Sequence, residues 1–169
     1  ILHLAFPNLP RRQRWLEEGI ATYVEPIARA RLGVLTEEDV WRGMVRGMVF
    51  AQPLPGEGGL DDTPTWGRIY WGGALFCLMA DVRIRERTGN ARSLDDALRA
   101  VLEKGGNAAA RWEIARVLEV GDAATGTTVL HDLHAEMALK AQEVDLHDLW
   151  ARLGVRSQKG AFVFDDGAP

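Results

Sequence analysis

The chain has 169 residues, 47% hydrophobic and 26% charged, with 20 Lys and Arg against 24 Asp and Glu for a formal net charge of −4. This describes one globular domain able to bury a core unaided, and the mildly acidic balance excludes the basic footprint of a nucleic-acid-binding protein. The single cysteine, Cys77, excludes an intrachain disulfide framework and a zinc site built from several cysteines, and the longest charge-free run, from Ile69 to Ala80, is too short to span a membrane.

In chain order, Ile1-Leu2-His3-Leu4-Ala5-Phe6 reads as the middle of an apolar, largely buried helix; with no Met at position 1, the chain reads as a fragment of a longer protein. A helix is predicted over residues 12–32, with Leu16, Ile20, Tyr23, Val24 and Ile27 in one apolar stripe, a kink at Pro26 and a stop at Gly33. Thr36-Glu37-Glu38-Asp39 is a capping signature opening a second helix through Met48. The segment 51–64, AQPLPGEGGLDDTP, holds three prolines, three glycines and three acids in fourteen residues, the composition of a binding loop or lid, or of a mobile surface loop. Residues 66–87 form the most hydrophobic element, apolar all round from Ile69 to Ala80, and are predicted to be a central helix enclosed by the others and ended by Thr88-Gly89-Asn90. Ser93-Leu94-Asp95-Asp96 caps a helix ending at Gly105-Gly106, and further helices are predicted over 108–118, 127–142 and 145–153. Residues 160–165 alternate weakly, as a terminal strand or an extended segment would. No internal repeat is visible, so the fold class is all-α in a single domain.

Metal ligands carried on helices must share a face. His131 and His134, three apart, have that spacing but no evident third ligand, and read as ordinary surface-helix residues; His147, in the first turn after an N-cap at Asp145, reads as exposed. His3, among Leu2, Leu4, Ala5 and Phe6, falls in a largely buried helix, where an imidazole needs a partner; the residues alone read it as a core or end-of-chain histidine. Glu18 points about 200° round the helical wheel from Leu16, towards Thr22 and Glu25, a side that is either solvent or a polar cleft.

The order x-x-His, a short connector and then Trp15-x-x-Glu18-Gly19-x-x-x-Tyr23 resembles the zinc-binding core of the gluzincin metallopeptidases, most closely the glycyl aminopeptidase family. The similarity continues at Tyr70-Trp71-Gly72-Gly73-Ala74-Leu75, at Asp81-Val82-Arg83-Ile84-Arg85 with Thr88-Gly89, and at Ser93-Leu94-Asp95-Asp96-Ala97-Leu98-Arg99. It ends with Ala124-Thr125-Gly126 and Leu149-Trp150-Ala151-Arg152-Leu153-Gly154, covering nearly the whole chain. The resemblance implies the helical C-terminal lobe of a gluzincin, with His3 and Glu18 as zinc ligands and a peptide or protein as substrate. It makes Tyr70 a hydrogen-bond donor to the developing oxyanion, where the residues alone also allow a core aromatic with a locally satisfied hydroxyl. Tyr23 matches a family position but lies on the apolar stripe and reads as packing.

Taken as the second histidine of H-E-x-x-H, His3 implies that the first histidine and the catalytic glutamate precede Ile1, in an upstream part of the same chain. This chain alone is then expected to bind zinc weakly and to hydrolyse nothing. Only fourteen residues separate His3 from Glu18, a compact connector that leaves Glu17, about 100° away, as an alternative ligand. Export to the periplasm or cell surface is compatible with the resemblance, and neither a glycine preference nor the choice between aminopeptidase and endopeptidase can be read from these residues. A reading from another class is a non-catalytic helical domain that keeps the peptidase scaffold for protein or peptide binding, using loop 51–64 and Trp66.

Overall fold

Helices α1 (Arg14–Arg31) and α3 (Gly73–Thr88) cross at the centre of the computed structural model, which describes residues 2–158, 161–165 and 167–168. Their crossing is unusually close because a glycine stands on each side. A Cβ on Gly19 would lie 2.2 Å from the carbonyl carbon of Gly73, and one on Gly73 would lie 2.1 Å from the carbonyl oxygen of Trp15. As its all-round apolar sequence predicts, α3 is enclosed: Ala74, Leu75, Phe76, Cys77, Leu78 and Ala80 are buried, and Phe76 meets the Trp15 ring edge to face at 5.0 Å.

The other helices surround this pair. Helix α2 (Glu37–Gly47) opens with the predicted capping box, in which Asp39 N donates to Thr36 Oγ1 (3.1 Å) and Thr36 N donates to Asp39 Oδ2 (3.1 Å). Helix α4 (Leu94–Glu103) starts where Ser93 N donates to Asp96 Oδ2, and α7 (Leu146–Arg152) where Asp148 N donates to Asp145 Oδ1. Helix α1 begins later than expected, behind a 3-10 turn at Arg11–Gln13, and runs on through Pro26.

Several expectations are corrected. Residues 2–5 form a 3-10 turn rather than a buried helix, with Leu4 exposed; Phe6 is buried, Pro7 follows, and Asn8 turns to pair with a distant segment. That partner is part of the predicted helix 108–118. Asn8 N donates to Ala110 O (2.9 Å) and Trp112 N to Asn8 O (3.1 Å), so this backbone is extended, and α5 instead spans Ile114–Thr125. The helix expected over 127–142 is shorter: α6 (Val129–Leu133) passes into a π turn at His134–Ala138. At the end of the described chain β1 (Val155–Gln158) pairs antiparallel with β2 (Ala161–Phe164), a hairpin of which only the second strand was expected. Ile1 and Gly160, which the expected helix and strand included, lie outside the described residues.

The loop 51–64 is folded down. Glu57 accepts from Leu54 N (2.8 Å), Thr63 Oγ1 (3.2 Å) and Thr65 Oγ1, and pairs with the buried guanidinium of Arg68 at 3.2 Å. Burial pushes the Glu57 carboxyl up, but these donors and the Arg68 charge outweigh it and hold it below the ordinary value. Further along, a Cβ on Gly59 would lie 2.1 Å from Ala138 O, so the loop backbone rests directly on the π turn after α6.

Candidate metal and catalytic site

The Gly19–Gly73 crossing brings the two motif segments together. Glu18 stands immediately before Gly19 on α1, and Tyr70 sits one turn before Gly73, within a π turn over Arg68–Gly72 that leads into α3. The glycines of Trp15-x-x-Glu18-Gly19 and Tyr70-x-x-Gly73 therefore have one cause, the close approach of two backbones. A single π turn in a helix is rare and is frequently found at functional sites. Here it carries Tyr70, while on α1 the hydrogen bond and charge of Glu18 hold the Arg14 guanidinium above its ordinary value.

Glu18 divides its two oxygens. Oε1 accepts from Arg14 Nε (3.1 Å) and Nη2 (3.0 Å), while Oε2 lies 3.6 Å from His3 Nε2. The latter separation is too long for a hydrogen bond. Two ligands about 2.1 Å from a tetrahedral zinc ion stand about 3.4 Å apart, so the pair has the spacing of two groups on one metal. The Glu18 side chain is only 12% exposed, while Glu25, two turns on along the same side of α1, is 54% exposed, and so is His3, contrary to the buried imidazole expected. Glu17 is engaged elsewhere, accepting from Leu9 N at 2.8 Å and so fixing the approach to α1. Among the described residues no group of three or more His, Cys, Asp or Glu side chains is arranged to hold a metal. Tyr70 is half-buried, 4.7 Å from the Trp66 ring, and its hydroxyl has no hydrogen-bond partner among the described residues.

Family models, curated proteins and solved structures gave no match to this chain. The site therefore rests on its own geometry.

The remaining sequence candidates lie apart from this pair. Tyr23 is buried and donates to Asp81 Oδ2 (3.2 Å); burial first, then the Asp81 charge, raises its phenol well above the ordinary value. His131 and His134 do not converge. The Nδ1 of His131 is 2.7 Å from Asp122 Oδ2, and Asp122 also accepts from Leu130 N and His131 N at the start of α6. His134, read from the sequence as a surface residue, is instead largely covered: its Nε2 is buried 3.7 Å from Asp61 Oδ2 and has no hydrogen-bond partner among the described residues, because the folded loop lies over it. His147 is exposed, as expected.

Two residues important to the site were not singled out from the sequence. Arg14 had a signal, its i, i+4 spacing to Glu18. Asp61 had none, because its partners are remote in the chain: it accepts from Trp15 Nε1 (2.8 Å) and Gln13 Nε2 (3.0 Å), holding the first turn of α1 from the folded loop. Its desolvation raises the carboxyl, but the His134, Trp15 and Gln13 side chains outweigh this and hold it below the ordinary value.

Proposed function

We propose that the chain is the helical part of a zinc-dependent metallopeptidase. The observation that supports this best is the 3.6 Å approach of His3 Nε2 to Glu18 Oε2. The chemistry that zinc supplies in a site of this kind is Lewis-acid activation of water for attack on a peptide carbonyl. The chain's own residues have separate tasks. Arg14 holds one Glu18 oxygen and turns the other towards His3; the Gly19–Gly73 crossing sets the depth of Glu18; and the free Tyr70 hydroxyl donates to the carbonyl oxygen as negative charge develops there. By the resemblance, the third ligand and the general base precede position 1.

Two measurements test this reading. The two residues before Ile1 in the parent protein are expected to be His-Glu, and any other pair refutes it. Calorimetric zinc titration of the 169-residue chain is expected to show weak binding that Glu18→Gln and His3→Ala abolish, with no peptide hydrolysis; metal-dependent hydrolysis by this chain alone overturns the assignment of roles. The second reading, a non-catalytic peptide-binding domain, is favoured by an exposed apolar groove beside Tyr70, and is chosen if the upstream pair is not His-Glu.

A further inference from the structure

Residues 54–63 of the folded loop are attached to the rest of the chain through side chains. Among the described residues their backbone-to-backbone hydrogen bonds stay inside the loop: Glu57 N donates to Leu54 O (2.9 Å), Asp62 N to Gly59 O (3.0 Å) and Thr63 N to Leu60 O (3.4 Å). Both flanks are fixed. Before the loop, Gln52 donates from Nε2 to Val144 O (2.9 Å) and accepts at Oε1 from Val144 N (3.1 Å). After it, Thr65 O accepts from Ile69 N (3.0 Å) where the next helix begins. Pro53 and Pro64 stand just inside these two fixed points.

Three side-chain grips hold the segment down. Glu57 pairs with Arg68; Leu60, 3% exposed, packs on Gly72, where a Cβ would lie 2.6 Å from Leu60 Cδ2; and Asp61 accepts from Trp15 Nε1 and Gln13 Nε2. The first two act on the π turn that carries Tyr70, and the third acts on the start of α1, which carries Glu18. The seat is incomplete. Two buried side-chain polar atoms lack a hydrogen-bond partner among the described residues, Arg68 Nε and His134 Nε2. Both groups lie under this segment: the Arg68 guanidinium is held by Glu57 and Gly58 O, and His134 Nε2 is 3.7 Å from Asp61 Oδ2. A buried polar atom left unpaired costs free energy that water returns, so lifting the segment recovers at these two atoms part of what it loses at the grips.

We infer that residues 54–63 are a strap that opens as one unit between Pro53 and Pro64 while the rest of the domain stays folded, and that its closure clamps the start of α1 to the π turn. No backbone ladder has to break for it to lift, which is the character of a locally unfolding unit of low stability. Because one segment grips both sides, opening frees the two together. The strap works in this way whether or not the chain binds zinc.

Hydrogen exchange followed by NMR on the 169-residue chain, with urea raised in steps below the unfolding transition, tests this. The Trp15 indole N–H is decisive, because the residue is 1% exposed in the core while its acceptor belongs to the strap. That N–H is expected to exchange through an opening at least about a hundredfold more frequent than the one that exposes the α3 amides of Leu75 to Leu78, and with a smaller dependence on urea. Glu57→Gln weakens the Arg68 grip and touches neither Asp61 nor Trp15. It is expected to speed exchange of the Trp15 indole N–H about tenfold and to leave α3 unchanged. Exchange of the Trp15 indole N–H at the rate of the α3 amides overturns the inference, and so does a Glu57→Gln chain in which that rate is unaltered. If Glu57→Gln does not fold, the comparison of Trp15 with α3 in the unsubstituted chain decides alone.

Discussion

Replacing Gly19 with alanine tests the crossing on which the site is built. The new Cβ would lie 2.2 Å from the carbonyl carbon and 2.4 Å from the Cα of Gly73, whereas non-bonded carbons rest about 3.5 to 4.0 Å apart. Helices α1 and α3 must therefore separate by more than about 1 Å, and because both obstructing atoms are backbone, no rotamer change relieves the contact. Overpacking of this kind costs about 3 kcal/mol. Better helix propensity of alanine returns about 1 kcal/mol, leaving a net loss of about 2 kcal/mol. In a domain of this size that lowers the melting temperature by roughly 4 to 8 °C. Gly43 supplies the control. It is an exposed glycine inside α2 with nothing within 4 Å of an added Cβ, so Gly43→Ala is expected to raise stability by about 1 kcal/mol. Urea and thermal unfolding followed by far-ultraviolet circular dichroism read both variants. If Gly19→Ala shifts the midpoint in the same direction as Gly43→Ala, the close crossing is wrong, and with it the account of what brings the Glu18 and Tyr70 segments together.

Other outcomes follow from the buried polar groups. Asp61→Ala leaves the Trp15 indole and the Gln13 amide without their acceptor and is expected to cost about 3 kcal/mol at neutral pH, read from urea midpoints; unchanged stability refutes its anchoring role. Because the folded Asp61 carboxyl sits below its ordinary value, the stability it contributes is complete above about pH 4 and is lost as pH falls through its folded value. Asp61→Asn is therefore expected to show a shallower loss of stability below about pH 4, with Asp39, Glu57, Asp96 and Asp132, which are also held low, accounting for the remainder. Cys77 is 1% exposed and burial raises its thiol far above the ordinary value, so a thiol-specific disulfide reagent is expected to label it only in denaturant; rapid labelling of the native chain would contradict the enclosed α3.

What was legible in the sequence was local. Thr36 with Asp39, Ser93 with Asp96, and Asp145 carry their hydrogen-bond partners within three residues, and the apolar run into α3 needs no partner to announce burial. What was hidden depends on contacts remote in the chain. Residues 110–112 look helical but are extended, because Asn8 bonds to Ala110 and Trp112. The loop 51–64 has the composition of a mobile segment, yet Glu57 and Asp61 draw it down onto Arg68, Gln13 and Trp15. The helical wheel gave the direction of Glu18 without showing what faced it, and the resemblance, not periodicity, singled out His3. The π geometry at Arg68–Gly72 had no sequence signal, since a single wide turn leaves the apolar pattern of so hydrophobic a helix unchanged.

That wide turn makes the spacing between Trp66 and Gly73 a matter of length rather than of side-chain identity. A π turn spends one residue more than an α-helix of the same path, so deleting one residue there would let the helix close to α geometry with the segments on either side keeping their directions. Gly73 would stay on Gly19 and Trp66 would keep its place, while the side chains within Arg68–Gly72, Tyr70 among them, moved by one position. Substitutions within this segment alter single contacts, whereas a change of one in its residue count reassigns which side chain stands where Tyr70 now stands.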